Sequence, residues 1–122
     1  MTNKFEILNN TTTNATSPAF KVNLRDAIGV NDTEYSAYFE LQGVLGGAVL
    51  SWQKLCQPVG GGAATYLEIL DDSVSLNTNF PATAGCILMS LGIKFNDSMQ
   101  LVVSGVSGTT NITITGINIS AA

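Results

Sequence analysis

The chain has 122 residues and a mass of 12.8 kDa, the size of one domain. Five Lys plus Arg stand against nine Asp plus Glu, for a formal charge of −4, and histidine is absent. Five scattered bases cannot build the cationic stripe that displaces counterions from phosphate, so a nucleic acid partner is not expected, and zero His removes Ser/His and Cys/His triads and His-ligated zinc.

In chain order, Phe5 to Leu8 alternate weakly and run into Asn9 to Pro18, a polar stretch with nothing to bury. Residues 1–18 are therefore predicted to be a polar N-terminal arm with at most a short strand, and residues 19–122 a single domain. Phe20, Val22 and Leu24 share one parity, with Lys21, Asn23 and Arg25 on the other, the period-two pattern of a half-buried strand. Asp26 to Glu34 reads as a turn region. Tyr35, Ala37, Phe39 and Leu41 alternate with Ser36, Tyr38, Glu40 and Gln42 as the clearest strand. Gly43 and Gly46-Gly47 interrupt it, and Ala48 to Leu55 resumes with the single tryptophan, Trp52. Pro58 to Gly62 is a glycine-rich loop, Tyr66 to Leu70 a strand, Asp71-Asp72-Ser73 a turn, and Val74 with Leu76 the next strand start.

After an irregular link from Asn77 to Gly85, Ile87, Met89, Leu91, Ile93 and Phe95 hold one parity, and Asn96-Asp97 turns the chain. Leu101 to Val103 follows, and the Gly/Ser run from Ser104 to Gly108 predicts a hairpin. In the last strand Ile112 and Ile114 share a parity that Ile117 and Ile119 do not, which predicts a β-bulge near Gly116. About eight short strands at roughly ten-residue spacing, with no 3.6-residue period, predict an all-β fold: an antiparallel β-sandwich or jelly-roll-like barrel. The polar residues agree, because 38 Ser, Thr, Asn and Gln outnumber 14 charged residues, and Thr, Ser and Asn suit strands and turns better than helices.

The candidate chemistry is sparse, and the expectation is a protein that is not an enzyme and holds no cofactor or metal. Asp71 and Asp72 are adjacent, so on a strand they face opposite sides and cannot act as an acid/base pair. Asp26, Asp32 and Glu34 lack the ligand spacing of an EF-hand loop. Lys54 and Lys94 have no serine placed for a Ser/Lys dyad. Gly60-Gly61-Gly62-Ala63-Ala64-Thr65 lacks the Lys-Ser/Thr pair of a phosphate loop. Cys56 and Cys86 could close one loop, but Cys86 within Cys86-Ile87-Leu88-Met89 reads as a small core residue. Seven Asn-x-Ser/Thr sequons follow from an Asn- and Thr-rich composition.

The start, Met1 to Glu6, has no cationic segment leading into an apolar one, and no apolar run approaches the roughly 18 residues of a membrane span. The expectation is a chain made and folded in a cytoplasm, with no membrane partner. The low charge predicts that some surface is covered by a protein partner. Tyr38, on the polar parity of its strand, is a candidate interface anchor, as are Trp52 and Tyr66; Phe5 and Ile7 join them as contacts of the arm.

The stretch Phe39-Glu40-Leu41-Gln42-Gly43-Val44-Leu45-Gly46-Gly47-Ala48-Val49-Leu50 resembles a pattern of small virion proteins of tailed bacteriophages, in which a strand, Gly-x-x-Gly-Gly-Ala and another strand precede a Trp or Gln. Residues 101–114 are similar to the closing hairpin of the same group. The resemblance implies a β-sandwich of the virion, made in the bacterial host: a capsid decoration (cement) protein that binds the major capsid protein or other virion proteins. Self-association, as trimers at local threefold positions, is an expectation of that family type. A tail or fibre accessory module that binds a receptor or carbohydrate is the alternative. The resemblance carries over no catalytic residues.

Overall fold

Alternation of apolar and polar side chains gives a strand one face to bury and one to leave in water, and two such sheets bury their apolar faces against each other. The computed structural model describes residues 4–22, 37–71, 74–75, 85–91, 98–117 and 119–122. Of these, Val22, Ala37, Tyr38, Asp71, Val74, Ser75 and residues 85–91 are described by their backbone alone. The strands are β1 (Lys4–Thr11), β2 (Ala15–Thr16), β3 (Phe20–Val22), β4 (Ala37–Val44), β5 (Val49–Cys56), β6 (Thr65–Glu68), β7 (Leu70–Asp71), β8 (Val74–Ser75), β9 (Gly85–Leu91), β10 (Met99–Ser104), β11 (Asn111–Ile117) and β12 (Ile119–Ala121). The described residues contain no helix.

The fold is an all-β antiparallel sandwich, as its sequence predicts, and the described residues form twelve strand segments. The first sheet has the order β1-β11-β4-β9, the second β12-β3-β10-β5-β6 with β2 also paired to β10, and β7 and β8 form a separate two-stranded ladder. That small ladder pairs Leu70 with Ser75 and Asp71 with Val74. Other expectations fall outside the described residues: the turn over 26–34, the link over 77–84, the end of the 87–95 strand and the turn at Asn96-Asp97. So do Asp26, Asp32, Glu34, Asp72 and Lys94.

The core lies between the sheets. Phe39, Leu41, Ile112 and Ile114 from the first meet Phe20, Leu50, Trp52, Met99, Leu101 and Val103 from the second, all essentially inaccessible to water. Phe39 joins the layers: its ring lies 6.0 Å from Phe20, edge to face at 65°, and 4.7 Å from the Trp52 ring. Each such buried side chain contributes about 1.5–3 kcal/mol.

Lys4–Thr11 and Ala15–Thr16 are strands of the two sheets, which corrects the reading of this segment as a polar arm with at most a short strand. β1 pairs with β11 along its length, with one extra residue on β1 between Glu6 and Leu8 and another between Leu8 and Thr11. Two bulges in eight residues destroy the period-two signal, and the first lets the adjacent Ile7 and Leu8 both enter the core. The chain then crosses to β2 and β3, which run along β10 as one strand broken at Pro18. Ser17 bridges the break: its N–H donates to the Leu101 carbonyl at 2.8 Å, and its Oγ accepts from the Leu101 N–H at 2.9 Å.

The predicted 104–108 hairpin is also corrected. β10 pairs with β5 and β11 pairs with β4, so residues 105–110 arch from one sheet to the other. Residues 45–48 make a parallel crossing between β4 and β5, and residues 12–14 another between β1 and β2. The order β1-β11-β4 in one sheet matches β2-β10-β5 in the other, so three arches stack side by side and close one end of the sandwich. At the opposite end the parity slip near Gly116 is a change of sheet, from β11 to β12, in place of the predicted bulge. A Cβ on Gly116 would occupy the space of the Ile119 side chain.

Candidate functional site

The five residues singled out in the sequence do not form one surface. Ile7 at 3% and Trp52 at 1% exposure lie in the core, and Phe5 packs half-buried against it opposite Gly116, so Ile7 and Trp52 have no surface to offer a partner. Tyr66 lies on the outer face of the second sheet, with its hydroxyl 2.7 Å from Ser98 Oγ. The backbone of Tyr38 sits in β4 between Ile117 of β11 and Ser90 of β9; its side chain is outside the description. Cys56 is a free thiol directed at the Lys54 carbonyl. The described residues hold no group of three potential metal ligands.

On the outer face of the second sheet, neutral side chains of β10 and β5 are hydrogen-bonded to one another. Gln100 Nε2 donates to Gln53 Oε1 at 2.7 Å, and Gln53 Nε2 donates to Ser51 Oγ at 3.2 Å. The Gln100–Gln53 pair crosses from β10 to β5, where the two residues stand opposite each other, and the Gln53–Ser51 bond runs along β5. Apolar side chains are exposed on the same half of the molecule, with Leu67 at 56% and Leu70 at 52%.

The arch end is held together by side-chain hydrogen bonds. Ser107 Oγ donates to the Gly46 carbonyl at 2.7 Å, and Thr110 Oγ1 donates to the Leu45 carbonyl at 2.9 Å, which locks the 105–110 arch onto the 45–48 arch. On the other side the Val106 N–H donates to Asn14 Oδ1 at 3.1 Å. Gly46, at φ +61°, permits this approach, because a Cβ there would lie 2.8 Å from the hydroxyls of Ser107, Thr109 and Thr110.

Beside this end, on the outer face of the first sheet, lies an open depression of about 290 Å³ lined by Asn10, Gln42, Gly43, Val44, Asn111 and Thr113. Register places Thr113 opposite Gln42 and Asn111 opposite Val44. Asn10 reaches it from the second bulge of β1, at φ +46°, with its N–H donating to Thr113 Oγ1 at 3.1 Å. Asn is among the few residues with a Cβ that enter the left-handed region at low cost. Sequence patterning points to none of these six as a binding residue: Gly43 reads as a strand interruption, and in a chain with 11 Asn and 13 Thr an individual Asn or Thr carries no signal. The positive φ of Asn10 is the distinguishing feature, and only coordinates display it.

One charged pair borders the depression. Lys4 Nζ lies 3.1 Å from Glu40 Oε2, and Gln42 Nε2 donates to the other Glu40 oxygen. The hydrogen bond from Lys4, then that from Gln42, then the Lys4 charge hold the Glu40 carboxyl below its ordinary value. A depressed carboxylate contributes stability above its unfolded pKa of about 4.3, and that contribution is lost as pH falls through the lower folded-state value. Glu40→Gln is therefore expected to melt slightly below the parent at neutral pH, the difference being small because the pair is exposed. The two melting curves should converge in acid; parallel curves down to the acid limit would remove the pair from the stability of β1.

No family model, curated protein or solved structure matches the chain.

Proposed function

We propose that the chain is a structural subunit of a tailed-phage virion that binds the assembled head as a decoration or cement protein. The observation that carries this reading is the character of the outer sheet faces. Among the described side chains six are charged, Lys4, Glu6, Lys21, Glu40, Lys54 and Glu68, and the rest of the exterior is hydroxyl, amide and exposed aliphatic. Depletion of charge together with exposed aliphatics is the composition of the buried part of a protein–protein interface. The resemblance in residues 39–50 and 101–114 supplies the phage context, and those two segments are the neighbouring arches of one end.

A subunit of this kind works by mass action: it binds the assembled shell and not the free capsomer, so each bound copy shifts the equilibrium toward the shell. The contacts would come from the sparsely charged outer faces and the exposed Leu67 and Leu70, since Ile7 and Trp52 are held inside. Quantitative mass spectrometry of purified particles, scaled to the major capsid protein, tests this directly. Copies in the hundreds are the expected result. A handful per particle would overturn the decoration reading and move the protein to the tail.

A further inference from the structure

We infer that the depression beside the arch end is a binding site for a neutral saccharide. The inference goes beyond the assembly reading and does not rest on it.

The lining selects the ligand class. Asn10 and Asn111 make no side-chain hydrogen bond among the described residues, so each presents a free carbonyl acceptor and a free amide donor. Gln42 commits its Nε2 to Glu40 and keeps its Oε1 as an acceptor. Thr113 Oγ1 accepts the Asn10 N–H and retains its own proton to donate. The six residues carry no charge, so nothing in the lining balances a phosphate, a carboxylate or an ammonium group. They include no aromatic ring, so a nucleobase has no face to stack on. An extended peptide that adds to a sheet needs an open strand edge, yet the floor is β11, hydrogen-bonded to β1 on one side and β4 on the other.

What remains is a ligand whose groups both donate and accept without charge, as sugar hydroxyls do. Val44 offers a patch of methyl surface for the C–H face of a ring. The volume of 290 Å³ is at the lower end of small-molecule sites, which run about 300–1,000 Å³.

The construction of the site argues that its geometry is specific. The β1 bulge between Leu8 and Thr11 sets Asn10 above Thr113, and bulges commonly re-aim a side chain toward a site. Gly43, at φ +114°, leaves the floor without a side chain and brings the β4 backbone against the Asn111 carbonyl. An open site with few polar contacts binds one sugar weakly, and repeated copies on one assembly raise the avidity.

The test is a ¹⁵N-HSQC titration of the full chain with glucose, galactose and N-acetylglucosamine, alongside glucuronic acid. Expected are saturable shifts confined to the amides of Asn10, Gln42 to Val44 and Asn111 to Thr113 with at least one neutral sugar, with Kd on the order of 1 mM. Asn111→Ala and Gln42→Ala should each weaken binding at least about tenfold, because each removes one of the few polar partners the site offers a sugar hydroxyl. Tyr66→Phe, on the other sheet, should leave binding unchanged, and the spectra themselves report that each variant is folded. The inference is overturned by the absence of saturable shifts with all three neutral sugars, by shifts elsewhere, by binding that survives both substitutions, or by glucuronic acid binding equally well.

Discussion

Removal of residues 1–17 is expected to unfold the whole domain, because this segment supplies an edge of both sheets. It contains β1, which covers one side of β11 and sends Ile7 and Leu8 into the core, and β2, which covers β10. Each lost aliphatic side chain removes about 1.5–3 kcal/mol of burial. Loss of Ser17 also strips the N–H and carbonyl of the fully buried Leu101 of their partners, at about 1–3 kcal/mol per orphaned group. The total is comparable to the whole 5–15 kcal/mol that holds a typical domain together, roughly speaking. Far-UV circular dichroism and amide dispersion of the truncated chain should show an unfolded protein. The single substitution Leu8→Ala should lower stability by about 2–5 kcal/mol in urea titration while the fold survives. A truncated chain that unfolds cooperatively at the parent midpoint would show that β1 is dispensable.

The same segment marks where local patterning stops predicting structure. The central strands announce themselves: Leu50 and Trp52, Met99, Leu101 and Val103, and Ile112 and Ile114 alternate strictly because each faces the core from an unbulged stretch of sheet. β1 does not, since two bulges place Ile7 and Leu8 side by side on the same face and dilute its apolar content with Asn and Thr. The Gly/Ser run at 104–108 is correctly a reversal, but a reversal signal is silent on whether the chain pairs with itself or crosses to another sheet. That choice is made by partners distant in sequence: Trp52 opposite Leu101 and Leu41 opposite Ile114. Gly116 illustrates the same limit, because a parity slip looks identical for a bulge and for a change of sheet. The depression is a further step removed, as it needs the arches, a bulge and a left-handed Asn10 to exist before Asn111 and Gln42 become neighbours.

Gly43→Ala is expected to be strongly damaging, with a loss of about 3–5 kcal/mol, because two penalties coincide there. Its φ of +114° lies where a residue with a Cβ is strained, and the Cβ would collide with the Asn111 carbonyl oxygen, a backbone atom that cannot rotate away. That carbonyl belongs to β11, whose register with β4 is fixed over seven residue pairs, so relief requires the two central strands of the first sheet to separate. Gly47→Ala is the matched comparison, since Gly47 also has a positive φ, +85°, but has open space where its Cβ would stand. It should cost only the backbone strain, about 1–2 kcal/mol. The difference between the two urea midpoints then isolates the collision from the strain. Equal losses would mean that β4 and β11 part easily at Gly43, in which case the close approach at the floor of the depression is not imposed by the sheet.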